Sequence, residues 1–157
     1  MPQKFNESGK KKVKISVKKL SPLAKLPGYQ TPLSAGADLV AALEEEVTVA
    51  PGETKLIPTG LAFAIPAGYA GLIYARSGLA SKEGLAPANK VGVVDADYRG
   101  EVMVALHNHS AASRTVLPGE RIAQFVIAPV EQALFEEVPA LPESERGAGG
   151  FGSTGKA

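Results

Sequence analysis

Cysteine is absent from the 157 residues. That excludes disulfides, thiolate nucleophiles and cysteine-ligated zinc together, and leaves the redox compartment open, a reducing one included. Histidine is scarce: His107 and His109 are the two in the chain. Spaced two apart they could share one face of a strand, but with no further histidine or cysteine to complete it, a zinc-type site is not expected. No apolar run approaches the roughly 18 residues of a membrane span. The opening MPQKFNESGKKK has no apolar signal core. Net charge is only +1, so no global field draws the chain to nucleic acid. A soluble, cytoplasmic protein that binds neither membrane nor nucleic acid is the expectation. Helical periodicity is weak throughout, its best candidate being one short turn near Leu79 to Glu83.

What the chain does have is a sufficient apolar content, 45% hydrophobic residues, for one globular domain with its own core. The apolar residues come in short runs: Val13 to Val17, Val47 to Val49, Leu61 to Ile65, Gly71 to Ala75, Glu101 to Asn108 and Ile122 to Ile127. Glycine and proline punctuate them, as at Pro51-Gly52, Pro66, Gly68 and Pro118-Gly119. Such a pattern implies an all-β sandwich, barrel or jelly roll. Residues 1–12 read as a flexible lysine-rich tail; it carries no aromatic after Phe5 that could stack on bases. Residues 13–138 hold the β domain. Residues 139–157 form a glycine- and proline-rich arm that cannot bury itself alone.

Polar chemistry concentrates at a few places. In NKVGVVDADYRGEV, Asn89 to Val102, an apolar run delivers the chain to Asp95, Asp97 follows, and a second run begins at Val102. This reads as a β-hairpin with a polar tip, either a solvated turn or a functional loop. Asp38, in the small and apolar run SAGADLVAAL, is costly to bury without a hydrogen bond or a cation. It is either a turn cap or a functional acid. Arg76, Ser77 and Gly78 end a strand with a donor fork, a hydroxyl and an open backbone suited to phosphate, or with a plain surface ion pair. Gln124 interrupts an apolar strand and needs partners, from a ligand or from the backbone. Near the C-terminus, residues 150–156 match G-x-x-x-x-G-K, but Ala157 stands where a P-loop requires Ser or Thr, so a P-loop is not expected. The same glycine-rich stretch, with Arg146, Ser153, Thr154 and Lys156, could still wrap a polyphosphate, and Phe151 could stack on a base.

Taken together, AGADL, ARSGLA, NKVGVVDADYRGEV, PGERIAQFVI and RGAGGFGSTG stand in this order from about residue 13 to 155. The set resembles the five signature motifs of the trimeric dUTP pyrophosphatase (dUTPase) family. The resemblance implies a jelly-roll-like β protomer and a homotrimer with active sites shared between subunits, the last motif being supplied as an arm. It implies hydrolysis of dUTP to dUMP and diphosphate, which keeps uracil out of DNA and supplies dUMP for dTMP synthesis, with Mg²⁺ as cofactor. Asp95 matches the catalytic carboxylate that activates the attacking water. Asp38 matches the first-motif acid, expected to support the metal through water. Arg76, Ser77, Gly78 and Gln124 match phosphate contacts. Arg146, Ser153 and Thr154 match the arm on the γ-phosphate, with Gly152 beside them, and Phe151 matches the aromatic that covers uracil.

The resemblance also implies how the substrate is chosen. Asn89 matches the amide that pairs with the uracil edge, where cytosine would leave buried groups unpaired. The stretch Asn89 to Tyr98, with Val94 inside it, would press backbone against C5 and exclude thymine, and Tyr98 would exclude a 2′-hydroxyl. Ala75 departs from the proline common in the family before Arg-Ser-Gly, which removes no donor. Two other readings compete. A related dCTP deaminase would need a glutamate on the strand after the hairpin, where this chain has Ala105. A non-enzymatic binding module would need neither Asp95 nor the arm.

Overall fold

The computed structural model describes residues 12–150. Eleven strands run through these residues: β1 (Ser16–Lys19), β2 (Ala37–Val40), β3 (Val47–Val49), β4 (Thr54–Pro58), β5 (Leu61–Ala64), β6 (Tyr69–Tyr74), β7 (Leu85–Pro87), β8 (Gly92–Val94), β9 (Met103–Asn108), β10 (Arg114–Val116) and β11 (Arg121–Pro129). The helical element is a single π-helical turn, Leu79–Glu83. It lies where the sequence offered its one helical candidate, and Gly84, at φ 71°, closes it in the left-handed region that glycine tolerates. The fold is therefore all-β with almost no helix.

Four antiparallel sheets share the strands. The largest has the order β2-β11-β6-β8, a second has β4-β9-β7, and two ribbons pair β1 with β5 and β3 with β10. Side chains alternate as a half-buried strand requires. In β9, Val104, Leu106 and Asn108 point into the core while Met103, Ala105 and His107 face outward. The core gathers Leu39, Leu61, Leu85, Leu106 and Ile122, each at most 1% exposed. Burying each is worth roughly 2 kcal/mol as transfer from water. Phe63 and Phe125 pack tilted at 43° with centroids 4.9 Å apart, tying the β1-β5 ribbon to the large sheet. Gly71 of β6 sits against that Phe125 ring, and a Cβ there would overlap it.

One expectation from the sequence is corrected here. The stretch Asn89 to Val102 is not a hairpin. β8 pairs with β6 in the large sheet, whereas β9 pairs with β4 and β7 in the second. The two apolar runs therefore belong to different sheets, and residues 95–102 form a corner that carries the chain from one to the other. The reason is packing: Val94 and Val102 are both buried, and the Val102 N–H donates to Leu61 O on β5 rather than across to β8. His107 and His109 stack edge to face, and His107 Nδ1 is 2.8 Å from Thr54 Oγ1 on the neighbouring strand.

Among the described residues, the last strand ends at Pro129. Residues 130–149 contain no strand and are exposed. Leu134 and Phe135 there are 96% and 92% exposed. No helix among the described residues is long and apolar enough to cross a membrane.

Candidate active site

The large sheet positions one group of site residues at its β2, β11 and β6 strands. Asp38 on β2 lies opposite Gln124 on β11, and Gln124 lies opposite Tyr74, the last residue of β6. Two residues beyond β6, Arg76 turns back. Its Nε donates to Asp38 Oδ1 at 3.2 Å, and its Nη1 donates to Arg121 O at 3.2 Å. Arg121, at the start of β11, donates from Nη1 to Asp38 Oδ2, also at 3.2 Å. A carboxylate only 5% exposed thus faces two guanidinium groups, which is the charge pairing that burial demands. The cluster as a whole keeps one unit of positive charge.

Arg121 was not singled out from the sequence, where it stands in the turn PGER. The available signal was the buried acid, which required a cation but did not say which one. Gly36, just before β2, gives Gln124 its room: a Cβ there would lie 2.9 Å from Gln124 Oε1. Ser77 and Gly78 follow Arg76 on the exposed entrance to the π-helical turn, where the Ser77 carbonyl accepts from Ser81 Oγ. Gly78 has an ordinary right-handed conformation, and a Cβ there would meet nothing within 4 Å. Its backbone is open to an approaching group.

A second group lines a cleft of about 310 Å³ bounded by Asn89, Gly92, Val94, Asp95, Tyr98 and Glu101. Lys90, at φ 62°, bends the chain so that Asn89 lies over Gly92, whose missing side chain leaves the Asn89 amide its place. The Val94 side chain is buried against the core, so its backbone is what it can present. Asp95 stands exposed at the cleft lip, and among the described residues no partner occupies its carboxylate. Asp97 is exposed turn structure beside it.

The corner is anchored at its far end. Glu101 Oε1 accepts from Gly60 N at 2.8 Å, and the buried Thr59 hydroxyl donates to Val102 O at 2.5 Å. Within it, Tyr98 N–H donates to Asp95 O and the Tyr98 hydroxyl donates to Glu101 O.

The structure thus brings the predicted residues into two groups, not one. Asp38, Arg76 and Gln124 gather with Arg121, while Asn89, Val94, Asp95 and Tyr98 gather at the cleft. None of the first four lines that cleft. Arg146 stands apart on the exposed C-terminal stretch, its Nε donating to Gly149 O at 2.7 Å. Phe151, Gly152, Ser153 and Thr154 lie outside the described residues, as does the tail up to residue 11. A larger concavity of about 650 Å³ runs between β1 and residues 27–37. Its lining has no carboxylate and no arginine. No group of three or more His, Asp or Glu among the described residues gathers to hold a metal ion. Asp38 has both oxygens engaged by arginine.

The chain is similar to known proteins over most of its length. The dUTPase family model matches residues 23–155. Deoxyuridine 5′-triphosphate nucleotidohydrolase of Maricaulis maris is 54% identical over 132 residues, spanning 83% of this chain and 87% of the relative. The enzyme of the same name from Nautilia profundicola is 54% identical over 144 residues, spanning 92% and 100%. Among solved structures, a Staphylococcus bacteriophage 80alpha dUTPase variant with dUpNHpp superposes with a TM-score of 0.84 at 32% identity, covering 91% of this chain and 99% of that one. A variant of the dUTPase from phage phi11 of S. aureus, described with a coordinated structural Mg(II) ion, superposes at 0.75 with 27% identity, covering 82% and 98%. With its motifs in order, its all-β sheets and its acidic cleft, the chain belongs to the dUTPase family of dUTP diphosphatases.

Proposed function

We propose that the protein works as a jelly-roll homotrimer that hydrolyses dUTP to dUMP and diphosphate, with Asp95 as general base. The observation that carries this reading is the Asp95 carboxylate, exposed at the cleft lip and without a partner among the described residues. A carboxylate so placed can accept the proton of a bound water. That water forms a bond to the α-phosphorus as the bond from the α-phosphorus to the bridging oxygen of the β-phosphate breaks. Diphosphate leaves with the bond's electrons, and the water's proton goes to Asp95. Mg²⁺, when bound, would be carried on the substrate's phosphates and would offset the negative charge that develops there, with Asp38 placed to support it through water.

The arginine cluster would take the phosphates. Arg76 is half-buried and aimed by Asp38, and Ser77 and Gly78 add an open backbone beside it. Gln124 joins them from the neighbouring strand. In this reading Asp38 acts as a positioning residue for the two guanidinium groups, and any part it plays toward the metal runs through water. Asn89 would read the uracil edge, Val94 backbone would crowd C5, and Tyr98 would pack on the deoxyribose. Arg146, with Phe151, Gly152, Ser153 and Thr154, would close over the nucleotide as an arm and exclude water.

The division of the site supports assembly from more than one subunit. The phosphate cluster and the Asp95 cleft are separate within one chain, so a trimer that sets the cleft of one subunit beside the cluster of the next would complete the site. Exposed apolar residues are available for such contacts: Leu56, Val93 and Met103 beside the cleft, and Leu134, Phe135 and Leu141 beyond the last strand.

The test is a product assay with Mg²⁺ and dUTP, dCTP, dTTP and UTP in parallel, for the wild-type chain and Asp95→Asn. Release of dUMP and diphosphate from dUTP alone is expected. The variant should lose roughly 10²- to 10⁴-fold in kcat, the usual contribution of a general base, while still binding a non-hydrolysable dUTP analogue. A variant with near wild-type turnover removes Asp95 from the mechanism, and a uracil nucleotide formed from dCTP replaces hydrolysis by deamination.

A further inference from the structure

Gly100 poses a question that its backbone does not answer. Its φ lies outside the left-handed region that usually calls for glycine. What surrounds it is the Tyr98 side chain. A Cβ at residue 100 would overlap the Tyr98 hydroxyl oxygen, lie 2.7 Å from Tyr98 Cζ and reach 3.0 Å from Cε2. The ring is folded back over Gly100, and its hydroxyl is tied to Glu101 O at 2.9 Å. Glu101 is itself fixed, through its side chain, to Gly60 N. The ring is thus held at one end by an anchored carbonyl and lies in space that exists because residue 100 lacks a side chain. Gly100 does not line the cleft; Tyr98 does.

We propose that Gly100 is a positioning residue that sets selectivity for deoxyribose, by leaving the space into which Tyr98 folds. This rests on the reading that Tyr98 packs against the sugar of dUTP. The nearest atoms are the far end of a rotatable side chain, so an added methyl group moves the ring and not the strand. A displaced ring no longer closes the space where a 2′-hydroxyl would sit, and UTP gains entry.

The experiment compares kcat/KM for dUTP and UTP in four proteins: wild type, Gly100→Ala, Tyr98→Ala and the double variant. Gly100→Ala is expected to lower the dUTP-to-UTP ratio on the order of tenfold, the scale on which a methylene-sized misfit discriminates. In the Tyr98→Ala background the same substitution should change the ratio no further, because the ring it acts through is gone. An unchanged ratio in the single variant, or an equal fall in both backgrounds, overturns the proposal. Should Gly100→Ala melt too low to assay, Tyr98→Ala in the same chain must restore the melting temperature; failure to do so overturns it equally. If the wild type hydrolyses neither nucleotide, the reaction assigned to the site is wrong. A crystal structure of Gly100→Ala still decides the steric claim: a Tyr98 hydroxyl remaining on Glu101 O refutes it, and a displaced ring sustains it.

Discussion

Asp38 is held as one member of a set. Its carboxylate is buried, each oxygen accepts from a different arginine, and Arg76 is further braced on the Arg121 carbonyl. Hydrogen bonds to charged groups contribute about 1.5 to 3 kcal/mol each when a partner is removed. The arginines are partly exposed, which screens part of that. Asp38→Asn is therefore expected to destabilise the protein by about 2 kcal/mol, lowering the melting temperature by roughly 4–8 °C. It should also raise KM for dUTP more than it lowers kcat, because it frees Arg76 without touching Asp95. A calorimetric scan with steady-state kinetics checks both; an unaltered KM would detach Asp38 from substrate binding. The sequence made the need legible, an acid among small and apolar residues, and left the partners unnamed. Arg76 and Arg121 are 38 and 83 residues away, and only the pairing of β2 with β11 and of β11 with β6 brings them in. That Asn89, Asp95 and Tyr98 gather at one cleft was easier to expect, because they share one short segment.

At the scale of elements, the end of β9 shows how these short strands are held together. Asn108 is fully buried, and its side chain is fully used. Nδ2 donates to Val49 O at 2.9 Å on β3 and to Ala112 O at 2.8 Å, while Oδ1 accepts from Ser110 N and Ser110 Oγ. One amide thus ties the second sheet to the β3-β10 ribbon and shapes the loop between β9 and β10. Asn108→Ala would take this donor from Val49 O in the core and the acceptor from Ser110 N, while Ala112 O keeps Ser110 Oγ, and is expected to cost about 3 kcal/mol. Urea unfolding measures this directly, and a loss under 1 kcal/mol would mean that water replaces the amide. The apolar runs of the sequence located most strands, with β3 matching Val47 to Val49. β10 was missed: Arg-Thr-Val has too few residues to show a period, and its strand character comes from the ribbon with β3. The supposed hairpin at Asn89 to Val102 failed for a related reason. A run, a polar turn and another run report where strands end, not which sheet each one joins. That choice was made by the buried side chains of Val94 and Val102 and by the partners on β6, β4 and β7.

For the whole molecule, the separation of the β sheets from the exposed C-terminal stretch makes stability and turnover separable. A chain ending at Glu145 keeps every strand and loses Arg146 together with the glycine-rich residues that follow. Its unfolding free energy should stay within about 0.5 kcal/mol of the full chain, as for surface changes generally. Its turnover of dUTP should fall at least about 100-fold, from loss of positioning and of closure over the substrate. Sedimentation of both proteins should give a mass near three times 16.2 kDa; a monomer would sever the two halves of the proposed site. The sheet order carries one more implication, for the chain as it is being made. β2, near the start, finds its partner in β11, near the end, and the Asp38–Arg121 pair spans 83 residues. Contacts so distant along the chain close late, after the loop entropy between them has been overcome. A nascent polypeptide that has not yet reached Gln124 therefore owns neither a complete large sheet nor a complete arginine cluster. Synthesis from the N-terminus leaves the arginine cluster until β11, the last strand among the described residues, so that no half-finished copy carries it whole.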